Sequence, residues 1–122
     1  MENKFATCLN CMDGRTQLPV IQWITSQYPV DHVDMITEAG MVEILSSEKY
    51  DTKLLKKLNI STINHGSQMI FVVGHHDCAA NPVSDELHQK QINLSINVIK
   101  NLIPSLPVIG LWLDENFKVK KL

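Results

Sequence analysis

The chain has 122 residues, 44 % of them hydrophobic and 20 % charged, with a formal charge of −2. That size and composition predict one domain over residues 1–122 and exclude a disordered tail, a collagen-like repeat or a coiled coil. With charges balanced and no long block of one sign, a nucleic-acid partner is not expected, and no apolar run is long enough to span a membrane.

Residues 5–10 form a short apolar segment, read as a first strand, that ends in the turn-like Cys11-Met12-Asp13-Gly14. Leu18, Ile21, Ile24 and Tyr28 then recur at spacings of three and four, which predicts an amphipathic helix over 16–28, stopped by Pro29. Residues 33–37 read as a second strand, followed by Ala39-Gly40 and a short helical stretch to Ser46. Asp51 suits the N-cap of a helix carrying Leu54, Leu55, Leu58 and Thr62, with Gly66 as its C-cap. The unbroken apolar run at 69–73 suits a strand covered on both faces. A long helix is expected over 84–102, with Leu87, Ile92, Ile96, Ile99 and Ile103 as its apolar stripe. Pro104 and Pro107 separate it from a fourth strand at 108–113, and Asp114-Glu115-Asn116 turns the chain into a last strand at 117–120.

Strands alternating with helices predict an α/β domain with a mainly parallel sheet. Ligands of such sheets bind beyond the carboxyl ends of the strands, and the polar clusters fall at those ends. His75-His76-Asp77-Cys78 sets an imidazole and a thiol three residues apart after a buried strand, and Cys11 could add a second thiolate. Two thiolates and an imidazole are typical zinc ligands, and three protein ligands leave a fourth position for water. Cys11-x-Asp13-x-Arg15 adds a carboxylate that an Arg fork could orient and keep ionised. Alone, each motif also fits a bland reading, such as a capping Asp and a surface Arg at a helix entrance.

As a pair, the motifs resemble those of the β-class carbonic anhydrases, which carry Cys-x-Asp-x-Arg after the first strand and His-x-x-Cys after the third. Phe71-Val72-Val73-Gly74-His75, Glu38-Ala39-Gly40 and Gly110-Leu111-Trp112-Leu113-Asp114 resemble further family segments in the same order. The resemblance implies a three-layer domain whose four parallel strands lie in the order 2-1-3-4, with a short C-terminal antiparallel strand. It implies Zn²⁺ held by Cys11, His75 and Cys78, and Asp13 with Arg15 as the catalytic dyad. It implies reversible hydration of CO₂ to bicarbonate by a zinc-bound hydroxide, and a homodimer or larger homo-oligomer paired through 33–40. The chain departs from the family in its short length and missing N-terminal arm, in Thr37-Glu38 where Arg-Asn is usual, and in Ala79-Ala80 in place of glycines. The alternatives are a non-catalytic zinc protein of the same fold, a hydrolase of carbonyl sulfide or carbon disulfide, and a thiol-redox protein using Cys8 and Cys11.

The start of the chain shows no signal peptide, and three cysteines are an odd number. The first reads as a cytoplasmic setting, and in such a reducing compartment an odd number of cysteines makes structural disulfides unexpected. Cys8 is expected to be an inert residue inside the first strand, with Cys11 beyond its end. His76 reads as a loop residue or a proton shuttle. His65 reads as a helix C-terminal residue, Trp23 and Trp112 as packing, and Lys118, Lys120 and Lys121 as a solvated tail. His32 and His88 receive no role.

Overall fold

The alternation of apolar and amphipathic segments becomes, in a computed structural model that describes residues 3–122, five strands and four α-helices. In order these are β1 (Phe5–Cys11), α1 (Gly14–Gln27), β2 (His32–Glu38), α2 (Met41–Ser46), α3 (Thr52–Asn59), β3 (Ile70–His75), α4 (Asp85–Leu102), β4 (Val108–Leu113) and β5 (Val119–Lys121). One sheet holds all five strands in the order β2-β1-β3-β4-β5. The first four run parallel and β5 is antiparallel to β4, as expected from the sequence.

Alternation along each strand feeds two cores. Leu9, Ile70 and Val72 pack with Met41, Leu45, Leu54, Leu58, Ile92 and Ile99 from α2, α3 and α4. Ala6, Cys8, Phe71, Val73 and Leu111 face the other way, onto Val20 and Ile24 of α1. The continuous apolar run at 69–73 therefore reflects a strand buried on both faces. Asp51 and Ser84 cap α3 and α4 by accepting the N–H groups of Leu54 and Leu87.

Four local expectations need correction. The helix begun at Asp51 ends at Asn59 and continues as a π-helical turn, Ile60–Asn64, before Gly66 reverses the chain at φ 63°. That turn carries Ser61 inward, where its hydroxyl donates to Asp34 Oδ2 (2.7 Å) and accepts from Thr7 Oγ1 (2.6 Å). His65 caps the C-terminal end of that turn, as expected of a helix C-terminal residue, and its Nδ1 also donates to the same Asp34 oxygen at 2.6 Å, which ties it to the edge strand. On α1 the buried line is Thr16, Val20 and Ile24, while Leu18 is 62 % exposed. Thr16 can be buried because its hydroxyl donates to the Asp13 carbonyl and accepts from Asn10 Nδ2. On α4, Leu87 is exposed and the buried line is His88, Ile92, Ser95 and Ile99. The last strand runs from Val119 to Lys121, because Phe117 stands in the left-handed region (φ 55°) and belongs to the turn.

The chain leaves β1 through α1 on one face to reach β2, and leaves β3 through α4 on the other face to reach β4. The strand order therefore reverses between β1 and β3, the position at which a crevice opens in such sheets. The last residues of those two strands are Cys11 and His75.

Candidate metal centre

Cys11 lies inside β1 as its final residue, not beyond it, and its backbone is held by side chains. Asn10 Oδ1 accepts the Cys11 N–H at 2.8 Å, and Gln17 Nε2 donates to the Cys11 carbonyl at 2.8 Å. Beyond Leu9 the strand no longer pairs with β3, and peptide groups on that side would otherwise be buried without partners. Cys8 sits three residues earlier, so the period-two alternation points it to the α1 side of the sheet. It is fully buried, burial pushes its thiol pKa up, and it does not join the cysteine–histidine group.

His75 ends β3, with its Nδ1 2.8 Å from the His76 carbonyl oxygen. A carbonyl only accepts, so Nδ1 carries the proton and Nε2 presents its lone pair. Among the described residues, His75 Nε2 is the one buried side-chain nitrogen or oxygen without a hydrogen-bond partner. Asp77 then takes φ 59°, a left-handed conformation that Asp tolerates, in the turn leading to Cys78. The Sγ atoms of Cys11 and Cys78 are 3.9 Å apart, and with a His75 ring nitrogen they form a group within 4.8 Å of one another.

These residues fit a zinc ion. Two sulfurs at about 2.3 Å from a tetrahedral centre stand about 3.8 Å apart, close to the separation found. The imidazole is already fixed in the tautomer a ligand needs, by a hydrogen bond of the type that orients metal-bound histidines. The donor set of two sulfurs and one nitrogen suits zinc rather than magnesium or calcium. Electrostatics agree. Burial opposes ionisation of Cys11, but the His75 imidazole beside it and nearby backbone N–H groups outweigh it and bring the thiol down to about 7. Burial, and then the neighbouring Cys11, push Cys78 the other way. Two thiolates this close need a cation between them.

Asp13 caps α1 by accepting the Arg15 N–H at 2.9 Å. Its carboxylate also receives Arg15 Nη2 at 2.7 Å, and Nε lies 3.1 and 3.2 Å from its two oxygens. The Arg15 hydrogen bond is the main reason that the Asp13 pKa falls to about 2. Beside Asp13 and Cys11 lies a cavity of about 230 Å³, completed by Met12, Ala39, Ala79 and Ala80. His76 stands outside the group, with Nδ1 2.9 Å from both oxygens of Asp85. His88 is buried against Trp112, and burial, with the nearby His75, lowers its pKa to about 4, so it is neutral.

The sequence motifs gave no sign of Asn10, Thr16 and Gln17, which hold the Cys11–Asp13 backbone, nor of Phe117, which touches Arg15, and Asp77, though inside the second motif, gave no sign of its contact with Arg15. The first three are ordinary polar residues with no distinctive spacing. Phe117 meets Arg15 only because β4 ends beside β3.

The whole chain, residues 1–122, matches the family described as "Putative carbonic anhydrase". No curated protein matches its sequence. Several solved structures share its fold. A tetrameric β-carbonic anhydrase from the filamentous ascomycete Sordaria macrospora has TM-score 0.70 at 15 % identity, over 100 % of this chain and 81 % of that one. A carbonic anhydrase from Streptococcus mutans has TM-score 0.68 at 17 % identity, over 98 % and 81 %. β-Carbonic anhydrase isoform I of Trichomonas vaginalis has TM-score 0.64 at 19 % identity, over 98 % and 82 %. At such identities the superpositions speak for the fold alone, while the family follows from the sequence match along the full length. By that match the chain belongs to the carbonic anhydrase family so described.

Proposed function

We propose that residues 1–122 form one zinc domain that hydrates CO₂ reversibly to bicarbonate, with Cys11, His75 and Cys78 as the ligands of the metal. The observation that carries this reading is the unpartnered, pre-oriented His75 Nε2 beside two sulfurs 3.9 Å apart. A bound zinc ion supplies the Lewis acidity that makes water a nucleophile near neutral pH. Asp13, kept ionised and oriented by Arg15, accepts the proton that water loses as it adds to the carbon of CO₂. Arg15 fixes which way the carboxylate faces and takes no proton itself. The cavity at Cys11 and Asp13 has a wall of three alanines and Met12 that suits a small apolar substrate such as CO₂.

Assembly as a homo-oligomer belongs to the same reading, supported by the tetrameric relatives from Sordaria macrospora. The dimer contact is assigned to residues 33–40, which include most of the sheet-edge strand β2. A cytoplasmic setting accords with three cysteines that are free. Among the described residues no helix is long and apolar enough to cross a membrane.

Metal analysis with variants tests the reading. The purified protein should hold about one Zn²⁺ per chain, as an open three-ligand site does. Cys11→Ser and Cys78→Ser should each release it. Asp13→Asn should keep the zinc and lose hydration, because an amide cannot take the proton. Full zinc in both cysteine variants would overturn the ligand assignment. Zinc without hydration in the parent protein would leave a non-catalytic zinc protein of this fold.

A further inference from the structure

Arg15 has more anchors than the Asp13 carboxylate. Its Nη2 donates to the Asp77 carbonyl at 3.1 Å, and its Nη1 lies 3.4 Å from Asp77 Oδ2. The guanidinium carbon sits 4.6 Å from the centre of the Phe117 ring, within cation–π range. The same ring lies 6.1 Å, centre to centre, from the imidazole of His75. Phe117 is therefore wedged between the candidate dyad and a candidate metal ligand.

The backbone marks the same two anchors. Among the described residues only Glu48, Asp77 and Phe117 combine a side chain with positive φ, and two of those three touch Arg15. For a bulky residue such as Phe the left-handed conformation is unfavourable and persists only where its surroundings enforce it. Here the enforcing element is Asp114, whose Oδ1 accepts the N–H groups of Asn116 (2.9 Å) and Lys118 (3.0 Å), while its carbonyl accepts that of Phe117 (2.9 Å). The β4–β5 turn is thus pinned in a shape that turns Phe117 back over the end of the sheet.

We infer that Phe117 is a positioning residue, whose ring, with the Asp77 carbonyl, locks the Arg15 guanidinium so that Arg15 holds Asp13 in one orientation. Without the ring, Arg15 keeps its charge and its carboxylate partner but gains freedom to swing about them, since its side chain is 48 % exposed. The dyad role of Asp13 rests on the function proposed above; the lock on Arg15 does not.

The test uses the zinc-loaded protein and three variants. Phe117→Tyr keeps the ring. Phe117→Leu keeps apolar bulk without it, and Phe117→Asn lacks the ring but is at home at positive φ, so it guards against a turn that fails to form. Hydrogen exchange at Arg15 Nε, followed by NMR, reports the pair with Asp13 directly. Exchange should match the parent in Phe117→Tyr and accelerate about two- to fivefold in Phe117→Leu and Phe117→Asn, the range expected for an exposed cation–π contact. CO₂ hydration measured alongside should fall in the same two variants and persist in the Tyr variant, with zinc content unchanged. Unaltered Arg15 exchange in both ring-less variants would overturn the lock. A parent protein that hydrates no CO₂ would defeat the proposed function, and the exchange measurement would still decide the role of Phe117.

Discussion

Gly74 precedes His75 in β3, and α4 approaches the sheet there closely because a β-carbon is missing. An alanine Cβ at 74 would stand 2.7 Å from Ile92 Cδ1 and 3.0 Å from both Cδ2 and Nε2 of His88. Neither neighbour has room to retreat. Ile92 is fully buried, and the His88 ring packs edge-on against Trp112 at 5.2 Å. Overpacking of this kind costs about 1–3 kcal/mol. Restricting the unfolded chain returns less than about 1 kcal/mol, so a net loss of about 1–2 kcal/mol is expected for Gly74→Ala. For a chain of this length each kcal/mol is worth about 4 °C, which puts the fall in Tm at about 4–8 °C. Gly14 supplies the control. It is the first residue of α1, and an added Cβ there meets nothing within 4 Å. Gly14→Ala should raise Tm by about 2–4 °C through the unfolded state alone. Thermal unfolding of the zinc-loaded proteins, followed by circular dichroism, reads both. A Gly74→Ala protein that melts at or above the parent temperature would refute the close approach of α4 to β3.

Other outcomes follow from single contacts. Ser61→Ala strands the buried Thr7 hydroxyl and removes a donor to Asp34, so urea unfolding should show a loss of about 1–3 kcal/mol. Asp114 has its pKa lowered chiefly by the Lys118 N–H, with burial opposing and the Asn116 N–H and Lys120 assisting. A carboxyl whose folded pKa lies below its unfolded one adds stability that is full above the unfolded pKa, near 4, and fades as pH falls through the folded value. Asp114→Asn should therefore melt below the parent at neutral pH, with the gap closing under acid; a gap independent of pH would contradict the pairing. Cys8→Ala should leave zinc stoichiometry unchanged, and loss of the metal would return Cys8 to the ligand question.

The class of the fold and the order of its elements were legible because long-range placement follows from local pattern in a βαβ chain. An unbroken apolar strand must lie in the middle of a sheet, and strands joined by helices must run parallel. The motifs that meet in the candidate metal cluster were legible for a related reason. Each is a short segment at a strand end, so topology alone brings Cys11 and His75 to the same crevice. What stayed hidden depends on polar residues placed inside. His88 and Ser95 occupy core positions of α4, the latter because its hydroxyl donates to the Gln91 and Val42 carbonyls, and so Leu87 drew attention that belonged to His88. Thr16 displaced Leu18 on α1 in the same way. The π-helical turn owes its place to a Thr7–Ser61–Asp34–His65 chain joining residues far apart in sequence. Phe117 is hidden more deeply, since only the turn built by Asp114 reveals that it faces Arg15.

The central claim is that two sulfurs, an imidazole and an Arg-oriented carboxylate at one switch point make a CO₂-hydrating zinc centre. Rapid mixing of CO₂ with zinc-loaded protein, against the same protein stripped of metal, tests it most directly. The account predicts proton release far above the buffer rate with zinc present and none above it without. Zinc-loaded protein that performs no better than buffer would contradict it.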